Sequence, residues 1–143
     1  MTLSEIKGII DNNPNDQTLG YVLRSLIGSE KLYEERPWGH YEVLLDTPTY
    51  KVKRFVVKSG KRISYQYHNK RSENWVIVSG KGILTLNAEN KEVSPNTIVH
   101  IDKKDYHRIH NIGVEDLVVI ETQFGEYCGE DDIVRIDDDF NRP

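Results

Sequence analysis

The sequence predicts an all-β sandwich or small barrel preceded by short helices, on three observations. From Arg36 onward the apolar residues fall into short runs rich in β-branched and aromatic side chains. Gly, Pro, Asn and Asp separate these runs at regular spacing, the punctuation of a sandwich or barrel. No helical stretch alternates with them, so a doubly wound α/β fold is not expected.

The elements follow in order. Ile6, Ile9 and Ile10 have helical spacing, and Ser4 is placed to cap the helix start. "NNPND" breaks that helix. Leu19, Val22, Leu23, Leu26 and Ile27 predict a second helix, with Gly28 at its end. Residues 1–32 are therefore expected as an N-terminal helical extension, and 33–143 as the β domain. Within the latter, "YEVLLDT", "YKVKRFVVK", "NWVIVSGKGILTLN", "NTIVHI", "YHRIHNI" and "DLVVIETQF" are the expected strands. "SGKG" (Ser79 to Gly82) is expected as a hairpin turn. It is not expected as a phosphate loop, because no helix pattern follows it.

Bulk properties narrow the function classes. A chain of 143 residues suits one core. The formal charge is −4, with the acids concentrated in "GEDDIVRIDDD" near the C-terminal end, which argues against nucleic-acid binding. The single cysteine, Cys128, excludes an intrachain disulfide and fits a reducing compartment. No stretch approaches the roughly 20 apolar residues of a membrane helix, and the N-terminus lacks a leader pattern. A cytoplasmic protein without membrane contact is the expectation.

The stretch "ISYQYHNKRSENW" carries the chemistry. Side chains at i and i+2 of a strand share a face, so Ser64, Gln66 and His68 line up while Tyr65 and Tyr67 face the other way. A turn at residues 69–72 and an antiparallel return would bring Glu73 opposite Gln66 and His68. His107 is a fourth donor downstream. Two nitrogens and two oxygens suit Zn²⁺, with Mn²⁺, Fe²⁺ or Co²⁺ as alternatives. A lone histidine on a strand is more often structural than ligating, so spacing alone leaves both readings open.

The frame around these residues resembles a known family. Gly60-x5-Gln66-x-His68-x4-Glu73-x6-Gly80 resembles the first cupin motif, with Gln in the place of its first His. His107-x3-Asn111 resembles the end of the second, although Asn96, Asp102 and Lys104 stand where Gly, Pro and Gly are usual. "RPWGHYEVL", "YKVKRFVVKSGKRISYQYHNKRSENWVIVSGKG" and "VIETQFGEYCGEDDIVRIDD" look like the cupin domain of type II mannose-6-phosphate isomerases. That domain often follows a mannose-1-phosphate guanylyltransferase domain. Here Asn74 replaces a usual histidine, Cys128 a usual leucine, and "DFNRP" an ending that is typically aromatic-Gly-Arg. Residues 1–32 are too short for a nucleotidyltransferase and show no Gly-rich nucleotide signature, so guanylyltransfer is not expected.

The resemblance implies a double-stranded β-helix, a jelly roll of two antiparallel sheets. It implies a metal-dependent isomerase that interconverts mannose 6-phosphate and fructose 6-phosphate through an enediol. Gln66, His68, Glu73 and His107 would hold the metal. With only Glu73 anionic, the metal would keep a net positive charge and remain electrophilic. Arg135 matches the family's arginine implicated in isomerase activity and is a candidate catalytic and substrate contact. Its ordinary alternative is an ion pair with Asp131, Asp132 or Asp137. Lys53 shares a strand face with Lys51, Phe55 and Val57, and is a candidate base and substrate contact or a solvated strand-end lysine. Arg71 could reach a phosphorylated hexose or remain a surface-turn cation. A homodimer is expected, since cupins commonly dimerise. The alternative function is a non-catalytic module that binds metal and a sugar phosphate or sugar nucleotide.

Overall fold

The computed structural model describes residues 3–12, 15 and 33–143. The chain splits into two compact units, Met1–Tyr33 and Glu34–Pro143. In the first, α1 spans Leu3–Asn12, and Glu5 in its first turn complements the positive end of the helix dipole. Ser4 sits inside this helix, so it is not the residue that caps it. The second expected helix lies outside the described residues.

The strands are β1 (Tyr33–Arg36), β2 (Gly39–Asp46), β3 (Tyr50–Val57), β4 (Tyr65–Tyr67), β5 (Arg71–Ser79), β6 (Gly82–Leu86), β7 (Glu89–Val93), β8 (Ile98–Ile101), β9 (His107–Asn111), β10 (Leu117–Gly125) and β11 (Val134–Asp137). They form two antiparallel sheets, β1-β2-β3-β10-β5-β8 and β11-β4-β9-β6-β7. This is the expected two-sheet jelly roll. Alternation places every second residue inside: Glu73, Trp75 and Ile77 are buried on β5, and Leu117 and Val119 on β10. Full burial of such an apolar side chain contributes about 1.5–3 kcal/mol. Phe55 packs edge-on against Trp75 at 5.3 Å and against Trp38 at 6.1 Å between centroids, a favoured aromatic geometry.

Two expected turns are sheet crossings. "SGKG" joins β5 in the larger sheet to β6 in the smaller one, and residues 68–70 join β4 to β5 in the same way. In a jelly roll the successive strands face each other across the core, so a short link need not make a hairpin. Gly80 permits its crossing, because φ is 88° and a Cβ would lie 2.6 Å from the Asp116 carbonyl oxygen. The two-residue hairpin is β6–β7, where Leu86 pairs with Glu89 around Asn87 and Ala88, both at positive φ as a type I′ turn requires.

Asn96 (φ 73°) and Lys104 (φ 67°) hold left-handed backbone at two positions where the resembled motif has glycine. The turn before His107 therefore keeps its shape without the usual residues. Lys104 N–H also donates to the His68 carbonyl at 2.8 Å, tying this turn to the end of β4.

Candidate metal centre and its cavity

Three distant segments meet inside the sandwich. Gln66 on β4 pairs with His107 on β9, which sets the two side by side in the smaller sheet. Glu73 projects from β5 in the larger sheet, and His68 follows β4 at the crossing. His68, Glu73 and His107 are all buried, with one donor atom from each lying within 4.8 Å of the others. His68 Nε2 is 3.6 Å from Glu73 Oε2, and His107 Nε2 is 3.4 Å from Glu73 Oε1. Donors held about 2.1 Å from one tetrahedral ion lie about 3.4 Å apart, so this spacing fits a metal.

Backbone carbonyls set both histidine rings. His68 Nδ1 donates to Asp132 O at 2.6 Å, and His107 Nδ1 donates to Asp105 O at 2.9 Å. Each ring then turns an Nε2 lone pair inward, the tautomer that metal ligation needs. Burial holds His68 down to about pKa 4, against the pull of Glu73, so His68 is neutral and its contact with Glu73 is not an ion pair. Burial raises the Glu73 carboxyl, but His107, His68 and Arg71 together outweigh it and hold it well below the usual range. Glu73 Oε1 and His107 Nε2 are buried without a hydrogen-bond partner. Such orphans are costly in an interior, and a divalent cation would satisfy both. The donor set therefore fits a metal.

Gln66 stands at the edge of the cluster. Ser64 Oγ donates to its Oε1 at 2.6 Å, and its Nε2 lies 3.4 Å from His68 Nε2. A half-turn of the amide exchanges its oxygen and nitrogen and faces the oxygen to the cluster, while Ser64 accepts the N–H.

Arg71 is not a surface-turn cation. It is buried, donating from Nε to Glu73 Oε2 at 3.0 Å and from Nη1 to Gly129 O at 3.2 Å. Lys53 also points inward, with Nζ 2.8 Å from Glu130 and 3.8 Å from the Tyr41 ring centroid. Both line one cavity with Arg36, Trp38, Tyr41, Glu121, Arg135 and Arg142. Arg135 pairs with none of the three aspartates considered for it; its Nη1 donates to Pro143 O at 2.6 Å.

Other residues resolve differently. Asn74 bonds His100 Nδ1 through its Oδ1 at 2.7 Å and alternates with the inward Glu73 and Trp75, so it faces away from the cluster. Tyr106 stacks on Tyr67 at 5.0 Å, on the face opposite Gln66. Asn111 closes a turn, with its Nδ2 donating to Val57 O and Glu115 O. Asp132, Glu121, Glu130, Tyr41, Arg36 and Arg142 belong to the site and were not legible as such. Their neighbours are remote in sequence; the quoted stretches "RPWGHYEVL" and "VIETQFGEYCGEDDIVRIDD" contain all of them but Arg142, without showing which of their residues turn inward.

Residues 29–138 match the family described as Mannose-6-phosphate isomerase C-terminal. The chain belongs to this family. The cupin domain is 42% identical over 107 residues to a mannose-1-phosphate guanylyltransferase of Escherichia coli, covering 75% of this chain and 23% of that protein. It is 33% identical over 138 residues to the mannose-1-phosphate guanylyltransferase RfbM of Salmonella typhimurium, covering 95% of this chain and 27% of that one. The chain thus spans about a quarter of the length of these relatives. An uncharacterized conserved protein from Klebsiella pneumoniae with a double-stranded β-helix domain shares the fold, at TM-score 0.63 and 17% identity, covering 74% of this chain and 90% of that one.

These relatives overturn the expectation of a mannose-6-phosphate isomerase. Both are named for guanylyltransfer to mannose 1-phosphate, and the cupin domain corresponds to a part of each. The resemblance identified the domain correctly and supplied the wrong reaction. A domain can persist inside a protein whose named activity rests on another part of the chain. Among the described residues no helix is long and apolar enough to cross a membrane.

Proposed function

We propose that this chain is a ligand-binding cupin domain that serves guanylyltransfer chemistry by holding a divalent metal and a phosphorylated mannose. The carrying observation is one cavity lined by Arg36, Lys53, Arg71, Arg135 and Arg142, with Glu73 and His107 beside it presenting orphaned donors. Cations on a cavity wall favour a phosphorylated ligand over a neutral sugar. His68, Glu73 and His107 would hold the metal, with Gln66 as a neutral fourth donor. Zn²⁺ suits such a mixed nitrogen and oxygen set, and Mn²⁺, Co²⁺ or Fe²⁺ are compatible with it. When bound, the metal would supply an electrophilic anchor for sugar oxygens. The guanylyltransferase relatives support mannose 1-phosphate or its nucleotide sugar as the ligand.

Calorimetry on metal-stripped and metal-loaded protein tests this. One Zn²⁺ or Co²⁺ per chain is expected, and the metal-loaded protein is expected to bind mannose 1-phosphate more tightly than mannose. The His68→Ala, His107→Ala double variant is expected to lose the stoichiometric metal. Retention of one ion per chain by that variant, or equal binding of the two sugars, would refute the reading.

A further inference from the structure

The cavity's cations divide into two groups. Lys53 and Arg71 are the enclosed pair, with side-chain exposures of 7% and 5%, and each is matched by a carboxylate, Glu130 and Glu73. Arg36 and Arg142 are more open, at 34% and 21%. Arg135 lies with them, and its Nη1 donates to Pro143 O at 2.6 Å. Its Nε is buried without a hydrogen-bond partner. Burial and then the Arg142 charge disfavour the Arg135 cation; Asp138 offsets part of this and Arg36 adds to it. Three guanidiniums thus line the same cavity: Arg36 pairs with Glu34 and Arg142 with Asp138, each at 2.7 Å, while Arg135 keeps a donor without an acceptor.

Arg142 reaches this position because the tail folds back on itself. Its backbone N–H and Nε both donate to Asp138 Oδ2, at 2.8 and 2.7 Å, and its Nη2 donates to Oδ1 at 3.0 Å. Asn141 takes φ 54° and donates its N–H to Asp138 O, which closes the loop. This is the "DFNRP" segment.

We propose that Arg142, folded back by Asp138, joins Arg36 and Arg135 in a phosphoryl-binding subsite on the cavity rim, so that a phosphorylated sugar binds with its anion at the rim and its hydroxyls toward Glu121 and the His68–Glu73–His107 cluster. This rests on the phosphosugar reading above. A phosphoryl group there adds negative charge where Arg142 and Arg36 both disfavour the Arg135 cation, and supplies acceptors for guanidinium N–H groups that face the cavity. Planar guanidiniums suit its several oxygens better than ammonium groups do.

The test is calorimetry on the full metal-loaded chain with mannose 1-phosphate, inorganic phosphate and mannose. Arg142→Gln and Arg36→Gln are each expected to weaken mannose 1-phosphate and inorganic phosphate by roughly tenfold or more, as for a lost hydrogen bond to a charged group, and to leave mannose unchanged. Arg54→Gln, which breaks a pair with Glu42 outside the cavity, is the control and is expected to change nothing. Asp138→Asn separates charge from tail anchoring. It is expected to retain or tighten phosphate binding, because Arg142 loses an internal competitor. An Arg142→Gln variant that binds phosphate within twofold of wild type overturns the subsite and leaves the binding-domain reading intact. Losses in Arg142→Gln that fall equally on mannose 1-phosphate and mannose also overturn it, since Arg142 would then only anchor the tail. If wild type binds mannose and mannose 1-phosphate equally, both proposals fall.

Discussion

Lys104 and Glu121 show what single residues contribute against local preference. Lys104 holds φ 67° where a side chain is disfavoured, because its N–H is committed to the His68 carbonyl. A left-handed conformation costs a non-glycine residue about 1–2 kcal/mol, and glycine loses roughly 0.5–1 kcal/mol of that gain through unfolded-state entropy. Lys104→Gly is therefore expected to stabilise the protein by about 0.5–1 kcal/mol in urea unfolding. Asn96→Gly is expected to gain less, since asparagine tolerates that region. Glu121 accepts from Trp75 Nε1 at 2.9 Å and from Gln123 Nε2 at 2.6 Å. Burial, then the Glu73 charge, push its carboxyl up from 4.5 to about 7. The folded protein thus holds this proton to higher pH than the unfolded chain does. The stability from this group is fullest below pH 4.5, falls between 4.5 and about 7, and levels off above. Unfolding free energy measured across that window should decline in wild type, and Glu121→Gln should remove that part of the slope. An unchanged slope would show that Glu121 does not titrate there.

At the scale of elements, the acidic tail builds the site as much as the strands do. The tail segment at Asp132 crosses to the β4–β5 link, where Asp132 Oδ1 and Oδ2 accept from the N–H groups of Asn69 and Lys70 at 3.0 and 2.9 Å. The same residue's carbonyl sets the His68 ring. The charge run suggests a solvated segment with only "EDDIVR" ordered near the site, and the hydrogen bonds of Asp132 in that stretch make it a brace. Asp132→Ala leaves two backbone donors without this acceptor and is expected to cost about 1–3 kcal/mol of stability. With the His68 brace loosened, Co²⁺ affinity should fall about 10- to 100-fold, read from the cobalt absorption spectrum. Unchanged cobalt affinity would confine Asp132 to a purely structural role.

At the scale of the molecule, the two sheets bring residues from β4, β5 and β9 to one point in the interior. A metal that binds only the folded chain stabilises it by about 2.7 kcal/mol at a hundredfold excess over Kd. Saturating Zn²⁺ should raise the melting temperature of wild type, and the His68→Ala, His107→Ala variant should show no such rise. An equal rise in both would place the ion elsewhere.

Much of this was legible in the sequence, because it is local. Period-two alternation assigned the strands and put Lys53 with Phe55, and Glu73 with Trp75, on shared faces; the structure buries both faces and so decides that Lys53 is not a solvated strand-end lysine. Motif spacing singled out Gln66, His68, Glu73 and His107 and carried the family. Spacing did not separate a hairpin from a sheet crossing, since both need a short glycine-containing link. It did not show that Asn74 turns outward to His100 while Arg142 turns inward to the cavity. Nor did it name the reaction, because one metal-ready cluster serves several chemistries. The sequence by itself determined the fold class, through patterns that act within a few positions, and singled out the candidate donor residues through motif spacing. Only the tertiary structure decided which remote charges neutralise one another, because pairs such as Lys53 with Glu130 and Arg108 with Asp137 depend on distance in space and on burial.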